Sequence, residues 1–468
     1  MCFELVAMRL FKVELTCDLG KSEKIGCVLS FLVPMFYRLL LEVLAGSTPL
    51  GYDCVAFYVR WIMYPYSFME GLKYFPLYNF LLLCLNFLVK DAFLAVKMGS
   101  ILVSGFLGYS IYKWLKAVGL ENYSIYYTLL IFFSVPTLRL SWDLHRNCFG
   151  LSLALLSMSY LKNGKKKLAY FLAFAAGFSH PFAAMALAAM NFGSIFLKKN
   201  VDSFSLTFFS LLGMVSTQIS SNFSYLNMQI NYTLSTDFVE KIIAAYGFGG
   251  ILLVPLVPFI AGFRKNFRKI INKFGSENFW WFFWFLFIAH FFHNSDRFFY
   301  MLGIPLGIIV ACNITVEGNK KRQKALLCVV LISMLVYTGV GVFNSSIPLR
   351  YTPEVMYLFE YCEKLLDNSS IVLVHRSLLG FALEAGIGLE KIVIVEPYEN
   401  FSMKMYLIEN ASMVFVVWWL KGKYWEGGHL LIRIFPFLGS RYGMYDVPSG
   451  FKIVKKGGGF ALYLSKME

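Results

Sequence analysis

Apolar residues fill most of the first three quarters of this chain, in blocks separated by short polar segments. The blocks lie at about 25–46, 74–89, 92–112, 123–138, 147–161, 168–179, 182–197, 203–220, 242–262, 278–293, 298–312 and 325–343. Within them no period of 3.6 or 2 stands out, the pattern of helices that are apolar on every side. Crossing a bilayer takes roughly 20 such residues, so the blocks predict about twelve membrane spans, several of them short. Beyond residue 344 the pattern changes. Ser370–His375, Lys391–Val395 and Met413–Trp418 are short β-branched or apolar runs that predict strands. Pro353 to Leu366 predicts a helix with proline in its first turn. The stretches 377–387 and 401–410 are helix-compatible, and Lys452 to Leu464, around Gly457-Gly458-Gly459, predicts a terminal hairpin. Strands alternating with helices suggest a small α/β sheet, and the runs are too short to cross lipid.

Composition strengthens the membrane reading. With 58% hydrophobic and 15% charged residues in 468, and a mean hydropathy of +0.61, the chain holds more apolar surface than a water-facing fold can hide. The net charge of +15 would, in a soluble protein, point to nucleic acid. Here the basic residues fall in clusters between apolar blocks, which is the bias of cytoplasmic loops, so no nucleic-acid partner is expected. The nine cysteines sit mostly inside apolar runs without metal-ligand spacing and read as small buried hydrophobes. The first 24 residues are mixed in charge and lack a small-residue cleavage site, so no removable signal peptide is expected.

Four basic clusters set the orientation. They are Lys162 with Lys165–Lys167, Lys198–Lys199, Arg264 to Lys273, and Lys320 to Lys324. Each adjacent pair encloses two apolar blocks, so all four can face the cytoplasm. The junction from Arg139 to Asn147, the Ser179-His180-Pro181 break, the loop 221–240, the segment from His290 to Arg297, and everything beyond about 344 then face outward. A first outer loop at 46–73 fits this scheme only if one block, most simply 74–89, is re-entrant or interfacial. The expected fold is a polytopic α-helical membrane protein with a cytoplasmic N-terminus. A transmembrane domain over 1–343 precedes a small C-terminal extracytoplasmic α/β domain over 344–468.

Ionisable groups are costly at membrane depth, and the outward helix ends carry an unusual share of them. The first outer loop holds Asp53, in TPLGYDCVAFY. The second junction, RLSWDLHRN, holds Asp143, His145 and Arg146; the break holds His180; and HFFHNSDRFFY holds His293, Asp296 and Arg297. Taken singly, each has a structural reading: a solvated loop carboxylate, a hydrogen-bonded helix end, an arginine snorkelling to headgroups. Their shared side makes a binding cleft the stronger expectation. Arg146 and Arg297 can clamp phosphate oxygens. Asp53 or Asp143 can take the proton of an attacking hydroxyl, or with His180 help hold a divalent cation such as Mg or Mn. His145, His180, His293 and Asp296 complete the candidate substrate-binding set. No Walker loop, HExxH or CxxC pair occurs.

This order of motifs resembles the GT-C superfamily of polytopic membrane glycosyltransferases, which includes protein mannosyltransferases and aminoarabinose transferases. The resemblance is carried by GYD at Asp53, WDLHRN at Asp143, the SHP break, SDRFFYMLGIP and the C-terminal domain. It implies Asp53 as catalytic base or metal-binding carboxylate, and Asp143 as the second acidic site. It also implies a polyprenyl- or dolichyl-phosphate sugar as donor, with a glycan, glycolipid or protein as acceptor on the extracytoplasmic face. The first loop carries one acid followed by Cys54, where many relatives carry two, and the WWDYG signature of oligosaccharyltransferases is missing. Two other readings stand beside this one. A polysaccharide polymerase or ligase also uses lipid-linked donors. A secondary transporter would need acids at mid-membrane, for which Arg38, Glu42 and Lys97 are the only ionisable candidates.

Overall fold

The computed structural model describes residues 21–51, 53–64, 76–120, 124–220, 268–270, 272, 274–288, 296–317, 325, 328, 329, 332, 352–395, 404, 408, 411–420, 447 and 450–466. The predicted blocks 242–262 and, but for four positions, 325–343 lie outside them. Two compact units result. The first takes in 1–40, 67–81 and 99–338, the second 41–66, 82–98 and 339–468.

The first unit is helical. It contains most of α1 (Lys21–Leu44), the start of α3 (Pro76–Val89) and most of α4 (Ala92–Ala117). It continues through α5 (Ser124–Phe132), α6 (Val135–Asp143), α7 (His145–Lys162), α8 (Lys166–Ser179), α9 (Pro181–Phe196), α10 (Val201–Ser220), α11 (Ser276–Ile288) and α12 (Asp296–Glu317). The predicted span 123–138 is broken. Ser134 takes an extended backbone, and Pro136, lacking an N–H, opens α6 instead of prolonging α5. Among the described residues, Lys24–Leu44 and Ala92–Ala117 are long and apolar enough to cross a membrane; Pro181–Phe196, Val201–Thr217 and Tyr300–Asn313 are apolar but shorter. Phe36, Leu40, Phe171, Phe204, Phe208 and Phe283 are exposed, an apolar surface suited to lipid and costly in water.

Small residues set the helix crossings, as expected where packing is the main association force. The α8/α10 crossing is reciprocal. A methyl on Gly177 would overlap the carbonyl oxygen of Ser210, and one on Gly213 would overlap that of Phe174.

The second unit holds the C-terminal sheet. Strands β1 (Ile371–His375), β2 (Ile392–Val395) and β3 (Met413–Trp419) stand where the apolar runs predict them, and β4 (Lys452–Gly457) with β5 (Phe460–Lys466) forms the terminal hairpin expected around the glycines. Their order is β2-β1-β3-β5-β4. β1 pairs in parallel with both β2 and β3, which explains why its side chains are apolar without alternation. β3 pairs antiparallel with β5, and the hairpin turns at Gly458, whose φ of 56° suits glycine. Helices α13 (Thr352–Glu363) and α14 (Leu379–Glu384) complete the α/β element.

The same unit includes the segment expected as a first outer loop. Residues 54–63 are not loop: a π-helical turn, Cys54–Tyr58, runs into α2, Val59–Met63. Its contacts with the C-terminal element are backbone-close, since a Cβ on Gly380 would lie 2.7 Å from the Val55 carbonyl oxygen. The amide of Leu389 donates to Tyr64 Oη at 3.3 Å.

Candidate functional site

The helices of the first unit define two chemically different ends. At one end Lys162 Nζ, closing α7, meets Glu277 Oε1 in the first turn of α11 at 2.8 Å, and Lys166 Nζ meets Asp202 Oδ2 at 2.8 Å. These pairs tie together the starts of α8, α10 and α11. Lys162 and Lys166 are paired with carboxylates placed at helix N-termini, where the dipole also favours them.

The opposite end gathers the starts of α7, α9 and α12. The one-residue break at Leu144 (φ −89°, ψ 48°) starts α7 at His145. His180 is extended (φ −162°, ψ 135°) and caps α9, its Nδ1 accepting the Phe182 amide at 3.2 Å, with Pro181 next to it where no amide is needed. An Nδ1 that accepts leaves the ring proton of the neutral imidazole on Nε2. It is buried and lies within electrostatic range of the guanidinium groups of Arg146 and Arg297. α12 is brought there by Phe298, whose ring stands 4.7 Å from Phe182 and 5.1 Å from Phe285. α6 runs antiparallel to α12: Pro136 lies against Gly303, and the Arg139 guanidinium sits 5.2 Å from the Tyr300 ring. That register carries the end of α6, at Asp143, toward the start of α12, at Asp296.

His180, Arg146 and Arg297 are therefore brought together. His145 is buried a short way off, with Nδ1 3.2 Å from Tyr78 Oη and Arg38 in electrostatic reach. For Asp143 and Asp296 the backbone alone is described, and His293 lies outside the described residues. Asn147, two residues into α7, is 2% exposed, and its Oδ1 accepts no hydrogen bond from the described residues, which leaves capacity for a ligand.

Asp53 belongs to the second unit. It is 8% exposed at the entrance to the π-helical turn, not a solvated loop carboxylate as its bland reading has it. Cys54 is buried beside it, with Sγ 3.2 Å from the Leu50 carbonyl oxygen.

The three ionisable residues weighed for transport are structural. Arg38 Nη1 donates to the carbonyls of Ser141 (3.1 Å) and Trp142 (2.9 Å), and Nε to Ser100 Oγ (3.2 Å). It thereby satisfies C-terminal carbonyls of α6, which have no partner inside their own helix. The signal in the sequence was an arginine inside an apolar block, affordable only with partners. Glu42 accepts the Leu50 amide at 3.0 Å, and Lys97 donates to the Glu42 carbonyl at 2.9 Å and to that of Gly46.

Among the described residues, no group of three or more His, Cys, Asp or Glu side chains could hold a metal ion. His180, one of the three candidate ligands, has two guanidiniums for neighbours, surroundings that favour an anion over a dication. What the end of α7, α9 and α12 can do is bind phosphate or a similar oxyanion through two arginines and an imidazole donor.

A comparison with family models matches residues 55–353, more than half of the chain, to the EpsG family. The match begins just after Asp53 and takes in the whole of the His180–Arg146–Arg297 cluster. A comparison with curated proteins yields no match.

Proposed function

Because this chain belongs to the EpsG family, associated with membrane polysaccharide polymerase and glycosyltransferase-like function, we propose that it joins saccharides, taking a glycan from a polyprenyl-phosphate-type carrier. The observation that carries this reading is the clustering of His180 with Arg146 and Arg297 inside the matched residues. In the proposed reaction an acceptor hydroxyl attacks the anomeric carbon of the donor and the bond from that carbon to the phosphate oxygen breaks. The phosphate leaves with the electron pair, and Arg146, Arg297 and the His180 Nε2 proton stabilise its charge. Asp143, arriving at the same end, takes the hydroxyl proton. Orientation by basic clusters puts the lysine end in the cytoplasm and the arginine end outside, with about twelve spans. A transfer of single sugars of the GT-C kind is the second reading, favoured by the motif order from GYD to SDRFF.

The test is donor consumption by membranes that contain the full-length protein, supplied with radiolabelled polyprenyl-phosphate and polyprenyl-diphosphate saccharides. Loss of one charge-assisted clamp costs roughly 2.7–4 kcal/mol in comparable sites, so Arg146→Gln and Arg297→Gln should each lower kcat/KM about 100-fold. A wild-type protein that consumes no donor, or variants that consume it at the wild-type rate, would sink the reading. Chain length of the product separates polymerisation from single-sugar transfer.

A further inference from the structure

At the arginine end a buried amide stands without a partner, and the donor of the proposed reaction brings hydroxyls as well as phosphate. Asn147 lies in the first turn of α7, directly after Arg146, and is 2% exposed. Its Oδ1 is fully enclosed and accepts no hydrogen bond from the described residues. A buried acceptor is costly to leave unmade, so this one calls for an ordered water or a ligand. Gly150 shows which way Asn147 faces, because residues three apart share a helix face. A methyl on Gly150 would lie 3.0 Å from Ala183 Cβ and 3.2 Å from His180 Cβ, so this face of α7 meets the start of α9. Asn147 sits on that face, one turn nearer the arginine end. All of these residues belong to the first unit.

Arginines read the phosphate, a group that every donor of this class shares. The sugar bonded to that phosphate carries hydroxyls on the carbons near its anomeric centre, and these differ in orientation from one sugar to the next. A carboxamide suits them: its oxygen accepts from one hydroxyl while its nitrogen donates to another oxygen. Resting on the glycosyl-transfer reading, we propose that Asn147 hydrogen-bonds hydroxyls of the sugar attached to the donor phosphate and so selects which sugar is bound. Burial gives the selection its strength, because a sugar whose hydroxyl points elsewhere leaves the enclosed amide unpaired.

The experiment reads equilibrium binding by the full-length protein in lipid nanodiscs, without turnover. The probes are polyprenyl phosphate and polyprenyl diphosphate, each bare and each carrying glucose, galactose, mannose or N-acetylglucosamine. The wild type should hold at least one glycosylated lipid about tenfold more tightly than its bare counterpart. Asn147→Leu, close in shape but unable to hydrogen-bond, should flatten that preference while leaving affinity for the bare lipids within about twofold of the wild type. Its melting temperature without added lipid should not fall, since no group of the protein loses a partner. A preference retained in Asn147→Leu overturns the proposal and leaves the amide to an ordered water. Equal losses for bare and glycosylated lipids overturn it too, because they report a structural role, as does a wild type with no preference. If Asn147→Leu does not fold, Asn147→Ala is held to the same binding criteria; failure of both to fold also overturns the proposal, since a side chain without a partner in the protein is not needed for folding. Donor consumption in the same nanodiscs judges the transfer reading separately. Selective binding without consumption would sink transfer and keep the sugar site, and consumption with the preference intact in Asn147→Leu would do the reverse.

Discussion

The two ends of the first unit use charged residues in opposite ways. At the lysine end each described pair matches an ammonium with a carboxylate at a helix N-terminus, and the groups remain partly exposed. At the arginine end two guanidiniums lie within electrostatic reach of a buried imidazole that caps its own helix. Lysines paired with carboxylates tie helices together; arginines near a donor imidazole suit the phosphate of the proposed donor. Charge alone does not distinguish the two ends, whereas the company it keeps does.

The largest expected effect comes from removing the support beneath the arginine end. Arg38→Leu strands the carbonyls of Ser141 and Trp142 without their donor, and each buried acceptor left unsatisfied costs about 1–3 kcal/mol. Heating the variant in detergent should reveal a clear loss of stability together with loss of donor consumption. A variant as stable and active as the wild type would mean that the α6–α7 junction does not depend on this residue. Gly177→Ala comes next, because the carbonyl oxygen of Ser210 cannot yield as a flexible side chain would. Overpacking of this kind typically costs about 1–3 kcal/mol, and the same melt should read it. The smallest effect belongs to the lysine end: Glu277→Gln should change stability by about 1 kcal/mol or less and leave donor consumption within about twofold. If it lowered consumption about 100-fold, as Arg297→Gln is expected to, the contrast between the ends would collapse.

A control for both ends sits in the C-terminal sheet. Burial, with Arg376 nearby, pushes the His375 imidazole down from its usual value to about 3. Unfolded, this histidine would titrate near 6.5. Above that pH neither state binds the proton and the group contributes no pH dependence. Between about 6.5 and 3 the unfolded chain takes up a proton that the folded one refuses, so stability falls by up to roughly 1.4 kcal/mol per pH unit. Hydrogen exchange of β1 and β3, corrected for its intrinsic pH dependence, should show protection dropping through this window. In His375→Asn that particular slope should be missing.

Much of the fold was legible along the chain. The strands β1, β2 and β3 coincide with short apolar runs, because a strand buried on both faces needs no other signal, whereas the exposed β4 (KIVKKG) was marked only by the glycines of its hairpin. The basic clusters marked one end of the bundle through residues as local as Lys162 and Lys166. The candidate site was only half legible. That Arg146, His180 and Arg297 lie at one end required the α7, α8–α9 and α12 segments to pack in one register, and nothing in the 33 or 116 intervening residues states that register.

What the sequence determined by itself is whatever depends on neighbours within a turn or two: which stretches are apolar, where proline ends a helix, where lysines gather. The tertiary structure decided the rest. It took Arg38 from a stray charge in an apolar block to the cap of a helix more than a hundred residues away. It also showed Asp53 to be a buried residue at a helix start, in the segment that packs at Val55 against Gly380 of α14. The physical reason is that burial and charge compensation are settled between elements. Crossings such as that of Gly177 with Ser210 set which elements meet, and no periodicity along one helix records which surface its neighbour will bring.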